Sequence, residues 1–193
     1  PIMAGTVTHG TQLAVAYIDL DDFAPLNAQY GKDWGNRIVV EMGKRIVQTV
    51  REPHQVSRIG GDEFAIICGN LRQGDAYLTA VQRLLQAIAK PLEIDQKTFH
   101  LTASIGIALY PQSTRIEAEQ LLRQADQAMY LAKLAGKNRH HLFDPLKDES
   151  TRERFLRLDE IRTALNERQF VLFYQPKVHL QSGDIVGFEA LIR

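Results

Sequence analysis

The sequence has very little cysteine and no excess of either charge, and each shortage excludes a class of protein. Cys68 is the only cysteine among 193 residues, so neither an intramolecular disulfide nor a multi-cysteine zinc site can form. It lies in an apolar stretch typical of a strand, which favours a buried structural thiol over a reactive one. The 23 basic residues balance 23 acidic ones, which argues against a nucleic-acid-binding face.

Long hydrophobic runs are also missing. No apolar run approaches the roughly 20 residues of a membrane span, and the N-terminus lacks the features of a signal peptide. We therefore expect a cytoplasmic, reducing location and no membrane contact by this stretch of chain. Because residue 1 is Pro rather than Met, we also expect a longer parent protein, which is free to carry a membrane anchor elsewhere.

The sequence does contain alternating strand and helix patterns up to residue 144. The apolar periodicity predicts a strand at 13–18, a helix at 34–50, strands at 56–59 and 63–68, a helix at 77–88, strands at 92–94 and 99–109, a helix at 117–135 and an edge strand at 141–143. Hairpins interleaved with helices predict an α+β fold, with one mixed sheet and helices packed on it.

Beyond residue 144 the character of the sequence changes. Residues 145–168 are rich in charge with apolar residues at helical spacing, which predicts a connector helix. Residues 169–193 read as two strands around a Gly-containing turn. The predicted organisation is therefore a domain at 1–144, a connector at 145–168 and a strand fragment at 169–193.

Acidic residues cluster at two points that meet if the first strand and the first hairpin are neighbours. Asp19, Asp21 and Asp22 end the first strand, and Asp62 and Glu63 lie at the glycine hairpin. Gathered carboxylates repel one another, and a hard divalent cation such as Mg²⁺ resolves that repulsion. Acidic turns are also common, so solvated turn residues are an equally open interpretation at this point.

Residues 58–64, read as Arg-Ile-Gly-Gly-Asp-Glu-Phe, resemble the signature of the GGDEF family, the diguanylate cyclases. Similar motifs occur in the family's order at 17–23, at 104–108 and at 125–133, and the resemblance covers residues 13–143. It implies a fold like the nucleotidyl cyclases and the polymerase palm. It also implies a reaction in which two GTP become cyclic di-GMP and two pyrophosphates.

The resemblance implies a role for each matching residue. Asp19 and Asp62 would ligate Mg²⁺ or Mn²⁺ together with the Leu20 carbonyl, and Glu63 would join the metal shell or assist the base. The residues implied in substrate binding are Asn27, Asn36, Gly60, Gly61, Lys133 and Lys137. Because each copy binds one GTP, the resemblance also implies a homodimer with two facing half-sites.

Three positions depart from the family pattern. Ala24 replaces a basic residue, and Asn36 replaces an aspartate that would accept hydrogen bonds from guanine as a charged partner. Arg51 and His54 stand where the inhibitory Arg-x-x-Asp site is usual, so we expect little product feedback there. The chain is thus expected to be an active cyclase or, alternatively, a GTP-binding module that regulates a neighbouring phosphodiesterase. A pure dimerisation platform is a third possibility.

The C-terminal stretch resembles the opening of an EAL domain, the cyclic di-GMP phosphodiesterase. Residues 173–178 and 187–193 carry the resemblance. It implies Glu189 as a metal ligand and Gln175 and Arg193 as contacts to cyclic di-GMP. One ligand does not make a phosphodiesterase, so we expect no such activity from these residues and a downstream EAL domain as a partner in the parent protein.

Overall fold

The computed structural model describes residues 11–50, 54–71, 76–144, 147–148, 161, 163–165 and 167–192. The chain divides into two compact units, residues 1–148 and 149–193. The elements of the first unit are β1 (Gln12–Leu20), α1 (Phe23–Tyr30), α2 (Lys32–Thr49), β2 (Gln55–Gly60), β3 (Glu63–Leu71), α3 (Ala76–Ile88), β4 (Leu92–Ile94), β5 (Lys97–Phe99), β6 (Ala103–Tyr110), α4 (Ala118–Leu134) and β7 (Arg139–Leu142).

The first unit is built on a five-stranded sheet with the order β2-β3-β1-β6-β7. β1 lies at its centre and pairs antiparallel with both β3 and β6, whereas β7 joins the edge parallel to β6. This mixed sheet with flanking helices confirms the predicted α+β class. The first strand and the glycine hairpin are neighbours, as the clustering of acidic residues required.

Helices cover both faces of β1, which explains why the strand is apolar throughout. Ala14, Ala16 and Ile18 face a core built with α2 and α3. Leu13, Val15 and Tyr17 face the opposite way, into a second cluster built with α4. Alternate residues of a strand point to opposite faces, so Asp19 shares the α4 face with Tyr17.

α4 approaches β6 closely at Gly106. A Cβ built on Gly106 would lie 1.9 Å from the Ala125 carbonyl oxygen and 2.0 Å from the Met129 nitrogen. Only a residue without a side chain fits this contact, and the packed helix then ends close to the carboxyl end of β1. The glycine therefore helps to fix the position from which Lys133 reaches the acidic cluster.

Two elements differ from the expectation. The predicted strand 99–109 is two strands, because β5 pairs only with β4 in a separate hairpin while β6 belongs to the central sheet. Apolar periodicity also did not predict α1, because Phe23 is the one buried residue in this helix and a single position gives no repeat. Pro25 lies in the first turn of α1, where its missing N–H costs no helical hydrogen bond, so it does not interrupt the helix.

The second unit contains an antiparallel hairpin of β8 (Leu172–Val178) and β9 (Ile185–Ile192). Residues 161 and 163–165 are helical and fall within the predicted connector at 145–168, much of which lies outside the described residues. The predicted domain boundaries remain predictions. Among the helices the structure describes, none has the length and apolar character needed to cross a membrane.

Candidate functional site

Two carboxylates face each other at the carboxyl end of β1. Asp19 is directly opposite Glu63, the first residue of β3, and Asp62 occupies the turn just before it. The Leu20 amide donates a hydrogen bond of 3.3 Å to the Asp62 carbonyl oxygen, which ties the turn to the strand end. The backbone of the sheet therefore brings these acidic residues together, as the sequence predicted.

Lys133 supplies a positive charge to this cluster. Its Nζ lies 2.6 Å from Asp19 Oδ2, and only 9% of the Asp19 side chain is exposed. Burial raises the pKa of Asp19. The ammonium of Lys133 lowers this pKa, whereas the neighbouring carboxylates of Asp62 and Glu63 raise it. A cation beside Asp19, whether an ammonium or a metal ion, offsets both its burial and the repulsion from the neighbouring carboxylates.

Tyr17 contacts the same cluster, and the motif analysis assigned it no role. Its hydroxyl donates a hydrogen bond of 3.2 Å to Glu63 Oε2. Burial, followed by the nearby Glu63 carboxylate, raises the pKa of Tyr17 to about 12. The hydroxyl is therefore protonated at neutral pH and available as a donor. The signal in the sequence is its position two residues before Asp19, on the same face of the strand.

Asp21 is a structural residue rather than a solvated one, which corrects one of the two sequence interpretations. Its carboxylate accepts hydrogen bonds from Thr102 Oγ1 at 2.7 Å, Ser104 Oγ at 2.7 Å and the Asn138 backbone N–H at 3.0 Å. Three donors compensate its burial in full. Asp21 thereby fastens the end of β1 to β6 and to the turn after α4.

Asp22, by contrast, is largely exposed and pairs with Lys137. The Lys137 Nζ lies 2.5 Å from Asp22 Oδ1, and this hydrogen bond raises the pKa of Lys137. Lys137 belongs to a turn in which it and Asn138 both have positive φ, 59° and 48°. The hydrogen bond from Asn138 to Asp21 holds that turn, so Lys137 stays beside the acidic cluster.

The Gly60–Gly61 turn is open above its backbone. Gly61 has a φ of 43°, and a Cβ built on either glycine would meet nothing within 4 Å. Arg58 Nε and Nη2 donate to the Gly61 carbonyl oxygen at 3.0 and 2.6 Å, so the arginine of the motif holds the turn from the side. Free space over a fixed backbone is what a flat base or a phosphate group needs for close approach.

Asn27 and Asn36 lie on either side of the junction between α1 and α2. The Asn27 side chain packs against Gly35, where an added Cβ would lie 1.7 Å from Asn27 Oδ1. That oxygen is buried and has no hydrogen-bond partner among the described residues. Asn36, one residue beyond Gly35, is exposed. The absence of a side chain at Gly35 therefore leaves room for the Asn27 side chain at this junction.

The chemistry of the donor set fits a divalent cation that arrives with a phosphate ligand. No three His, Cys, Asp or Glu side chains in the described part of the chain are placed to hold a metal by themselves. Asp19, Asp62 and Glu63 nevertheless provide the one or two carboxylates that Mg²⁺ takes from proteins, with its other positions filled by water and phosphate. The Lys133 ammonium at Asp19 marks where the cluster accepts positive charge.

An apolar groove of about 800 Å³ lies on the α4 face at the other end of β1. Leu13, Val15, Ile67, Ile116 and Leu121 are among the residues that line it. These positions on β1 are four to six residues before Asp19, about 13–20 Å away along an extended strand. Ile59 and Ala65 also line the groove, so its wall continues toward the glycine turn.

Of the five remaining predicted residues, the structure describes His54, Gln175 and Glu189. His54 is half-buried, with its Nδ1 buried and unpartnered among the described residues, whereas Arg51 lies outside them. Gln175 is opposite Glu189 in the hairpin of the second unit, and Lys177 Nζ is 3.6 Å from Glu189 Oε2. Arg193 also lies outside the described residues.

Comparison with known proteins agrees with this geometry. The sequence model described as "Diguanylate cyclase, GGDEF domain" matches residues 3–139. The bifunctional diguanylate cyclase/cyclic di-GMP phosphodiesterase MucR of Pseudomonas aeruginosa is 38% identical over 182 residues, which are 94% of this chain and 26% of MucR. The cyclic di-GMP phosphodiesterase NbdA of the same organism is 34% identical over 185 residues, 95% of this chain and 23% of NbdA.

Among solved structures, the GGDEF domain of TpbB (YfiN) from P. aeruginosa superimposes with a TM-score of 0.74 at 33% identity. The match covers 79% of this chain and 88% of that one. The chain spans about a quarter of the length of MucR and NbdA. The matched residues contain the sheet, the glycine turn and the acidic cluster described above, and the chain belongs to the GGDEF family of diguanylate cyclase domains.

Proposed function

We propose that this chain acts as a diguanylate cyclase domain, which condenses two GTP into cyclic di-GMP with release of pyrophosphate. The observation that carries the proposal is the Asp19–Glu63 pair at the strand ends, with Asp62 in the adjoining turn and Lys133 in contact. The register of β1 and β3 brings Asp19 and Glu63 opposite each other, next to Asp62. MucR and TpbB, both described as diguanylate cyclases, support the assignment.

Asp19, Asp62, Glu63 and the Leu20 carbonyl are the groups proposed to hold Mg²⁺ or Mn²⁺. When bound, the ion neutralises charge on the triphosphate and lowers the pKa of the attacking 3′-hydroxyl. Lys133 has a second task in this proposal. Its ammonium balances Asp19 in the absence of nucleotide and is within reach of phosphate oxygens once a metal ion takes over that balance.

The purine is proposed to lie near the α1–α2 junction. The Asn27 amide would offer guanine both a donor and an acceptor, and Asn36 would offer a neutral carbonyl where a charged carboxylate is usual. Gly60 and Gly61 would lie beneath the nucleotide, since the space above them is open. Lys137 adds a positive charge beside the cluster for the phosphates.

Synthesis further requires two copies of the domain. One site holds one GTP, and each 3′-hydroxyl has to reach the α-phosphate of the other nucleotide, so two sites must face each other. We therefore propose a homodimer as the active form. The rate of product formation should then rise faster than linearly with protein concentration below the dimerisation constant.

The second candidate function is a GTP-binding module that regulates an adjacent phosphodiesterase without turnover. Two observations favour it specifically. Ala24 and Asn36 replace charged residues that are expected to contact GTP, which should weaken GTP binding. NbdA, a relative, is described as a phosphodiesterase. We also propose that residues 169–193 begin an EAL domain, with Gln175, Glu189 and Arg193 in its ligand site. The alignment with NbdA over 95% of this chain supports that proposal.

Incubation of the purified chain with GTP and Mg²⁺ or Mn²⁺, followed by detection of cyclic di-GMP, separates the two functions. The cyclase proposal expects product from the wild type and none from Asp62→Ala. Metal-dependent GTP binding by calorimetry without any product would instead support the regulatory module. If neither binding nor product occurs, only a dimerisation platform remains.

A further inference from the structure

Tyr17 and Glu63 meet diagonally across two strands. Tyr17 is opposite Ala65 in the β1–β3 ladder, so Glu63 lies two residues along on the same face. The Tyr17 hydroxyl donates to Glu63 Oε2 at 3.2 Å, and the tyrosine as a whole is only 8% exposed. Asp19 is the next residue on that face of β1, directly opposite Glu63.

Packing fixes the tyrosine ring. It belongs to the cluster that β1 forms with α4, which includes Val15, Ala125 and Met129. A ring held in this way carries its hydroxyl at a defined point, whereas a glutamate has three rotatable side-chain bonds and samples many positions at a strand end. The hydrogen bond therefore restricts the Glu63 carboxylate to positions within reach of a hydroxyl that the core holds in place.

We propose that Tyr17 is a positioning residue, which holds the Glu63 carboxylate in the orientation that metal-bound nucleotide requires. This inference rests on the proposed cyclase function and adds to it a residue that acts through Glu63. The bond engages one carboxylate oxygen, and a carboxylate has about four lone-pair sites, so Glu63 keeps the capacity to bind a cation. Tyr17 itself needs no contact with substrate or metal.

The test removes one oxygen atom. Tyr17→Phe keeps the ring and its packing, and Tyr110→Phe is the matched control. Tyr110 packs against the same apolar cluster and is opposite Leu13, at the other end of β1. For each variant of the full chain we would measure the unfolding midpoint, kcat and KM for GTP, and Mn²⁺-dependent binding of 3′-deoxy-GTP by calorimetry.

Tyr17→Phe should lower kcat about 10- to 150-fold, the range expected for one hydrogen bond to a charged group. It should also raise the Mn²⁺ concentration needed for half-maximal 3′-deoxy-GTP binding, and leave KM for GTP at saturating Mn²⁺ within about twofold. Tyr110→Phe should match the wild type in all these measurements. If Tyr17 had a purely structural role, Tyr17→Phe would lower the unfolding midpoint without lowering kcat selectively over KM.

A double-mutant cycle then connects the effect to Glu63. In a Glu63→Gln background, Tyr17→Phe should change Mn²⁺-dependent binding little further, since the partner is already altered. Independent, additive effects would overturn the proposal, and so would a wild type that makes product while Tyr17→Phe behaves like Tyr110→Phe. If the wild type binds Mn²⁺ and nucleotide but makes no product, the cyclase function is refuted. The binding measurement then still tests whether Tyr17 positions Glu63.

Discussion

The Lys133 ammonium lies 2.6 Å from the Asp19 carboxylate, although 114 residues separate the two in sequence. The contact joins the C-terminal part of α4 to the end of the central strand. Among the described residues, Lys133 is the charge partner of Asp19. It lies on α4, which packs closely against β6 at Gly106. The stability of the fold and the electrostatics of the site are therefore coupled at this pair.

Replacing Lys133 with Met should destabilise the protein in a pH-dependent way. Loss of the ammonium leaves Asp19 buried without a partner, at a cost of about 1–3 kcal/mol at pH 7 in the presence of a chelator. Burial already raises the pKa of Asp19 above its ordinary 3.8, and the variant raises it further. A raised pKa favours the folded state at low pH, so the deficit should shrink as pH falls from 7 toward about 4.

Denaturant unfolding of the wild type, Lys133→Met and Lys133→Arg across this pH range checks the prediction. Lys133→Arg keeps the positive charge and should lose less stability at pH 7. A deficit in Lys133→Met that is the same at every pH would mean that Asp19 does not depend on Lys133.

Asp21→Asn should destabilise the fold much more than Asp22→Asn. The Asp21 carboxylate accepts from Thr102, Ser104 and Asn138, and an amide turns one acceptor into a donor facing those groups. We expect a loss of about 2–4 kcal/mol. Asp22 is exposed and forms a surface ion pair, so its variant should lie within about 0.5 kcal/mol of the wild type. Equal unfolding free energies for the two variants would contradict the assigned structural role of Asp21.

Gly106→Ala should separate α4 from the sheet. Its new methyl group would overlap backbone atoms of α4, which cannot move aside by a side-chain rotation. The expected loss is at or above the usual range of about 1–3 kcal/mol for overpacking. Gly69→Ala, in β3, is the matched control because an added Cβ there meets nothing within 4 Å. Thermal unfolding of both variants suffices, and a normal midpoint for Gly106→Ala would show that the helix contact is looser than described.

Asn36→Asp should tighten GTP binding relative to ATP. A carboxylate accepts hydrogen bonds from the guanine N1 and N2 hydrogens more strongly than an amide carbonyl does, and adenine offers no such pair. The expected gain is about 5- to 30-fold, equivalent to about 1–2 kcal/mol. Metal-dependent binding of both nucleotides by calorimetry measures it. Gln82→Glu, exposed on α3, controls for the added charge, and an equal gain for ATP would place the purine elsewhere.

The sequence was sufficient to predict most strands of the central sheet. It also predicted that the acidic residues meet if the first strand and the glycine hairpin are neighbours. Residues 13–18 are apolar without alternation, which predicts a strand covered on both faces, and a glycine pair beside Asp62 predicts the neighbouring hairpin. Asp19 and Glu63 are opposite each other in the β1–β3 ladder. Periodicity and turn chemistry predict the strands and the turn, whereas the pairing of β1 with β3 and its register come from the fold.

Contacts made through tertiary packing were beyond that reasoning. The acidic run at 19–22 does not reveal that Asp21 is buried, because the donors that compensate it come from β6 and from the turn after α4. The available signal was the polar pair of Thr102, just before β6, and Ser104, within it. The Lys133–Asp19 and Tyr17–Glu63 contacts likewise depend on helix docking and strand register, which spacing in the sequence does not specify.

The most direct test of the account compares two carboxylate variants for product formation. With GTP and Mg²⁺ or Mn²⁺, mass-resolved detection should find cyclic di-GMP from the wild type and from Glu119→Gln, an exposed carboxylate on α4 that pairs only at the surface with Arg123. Asp19→Asn should reduce product by at least about 100-fold, since it removes a carboxylate from the proposed metal site. Product from Asp19→Asn at the wild-type rate would contradict the claim that the paired carboxylates at the end of β1 form the catalytic site.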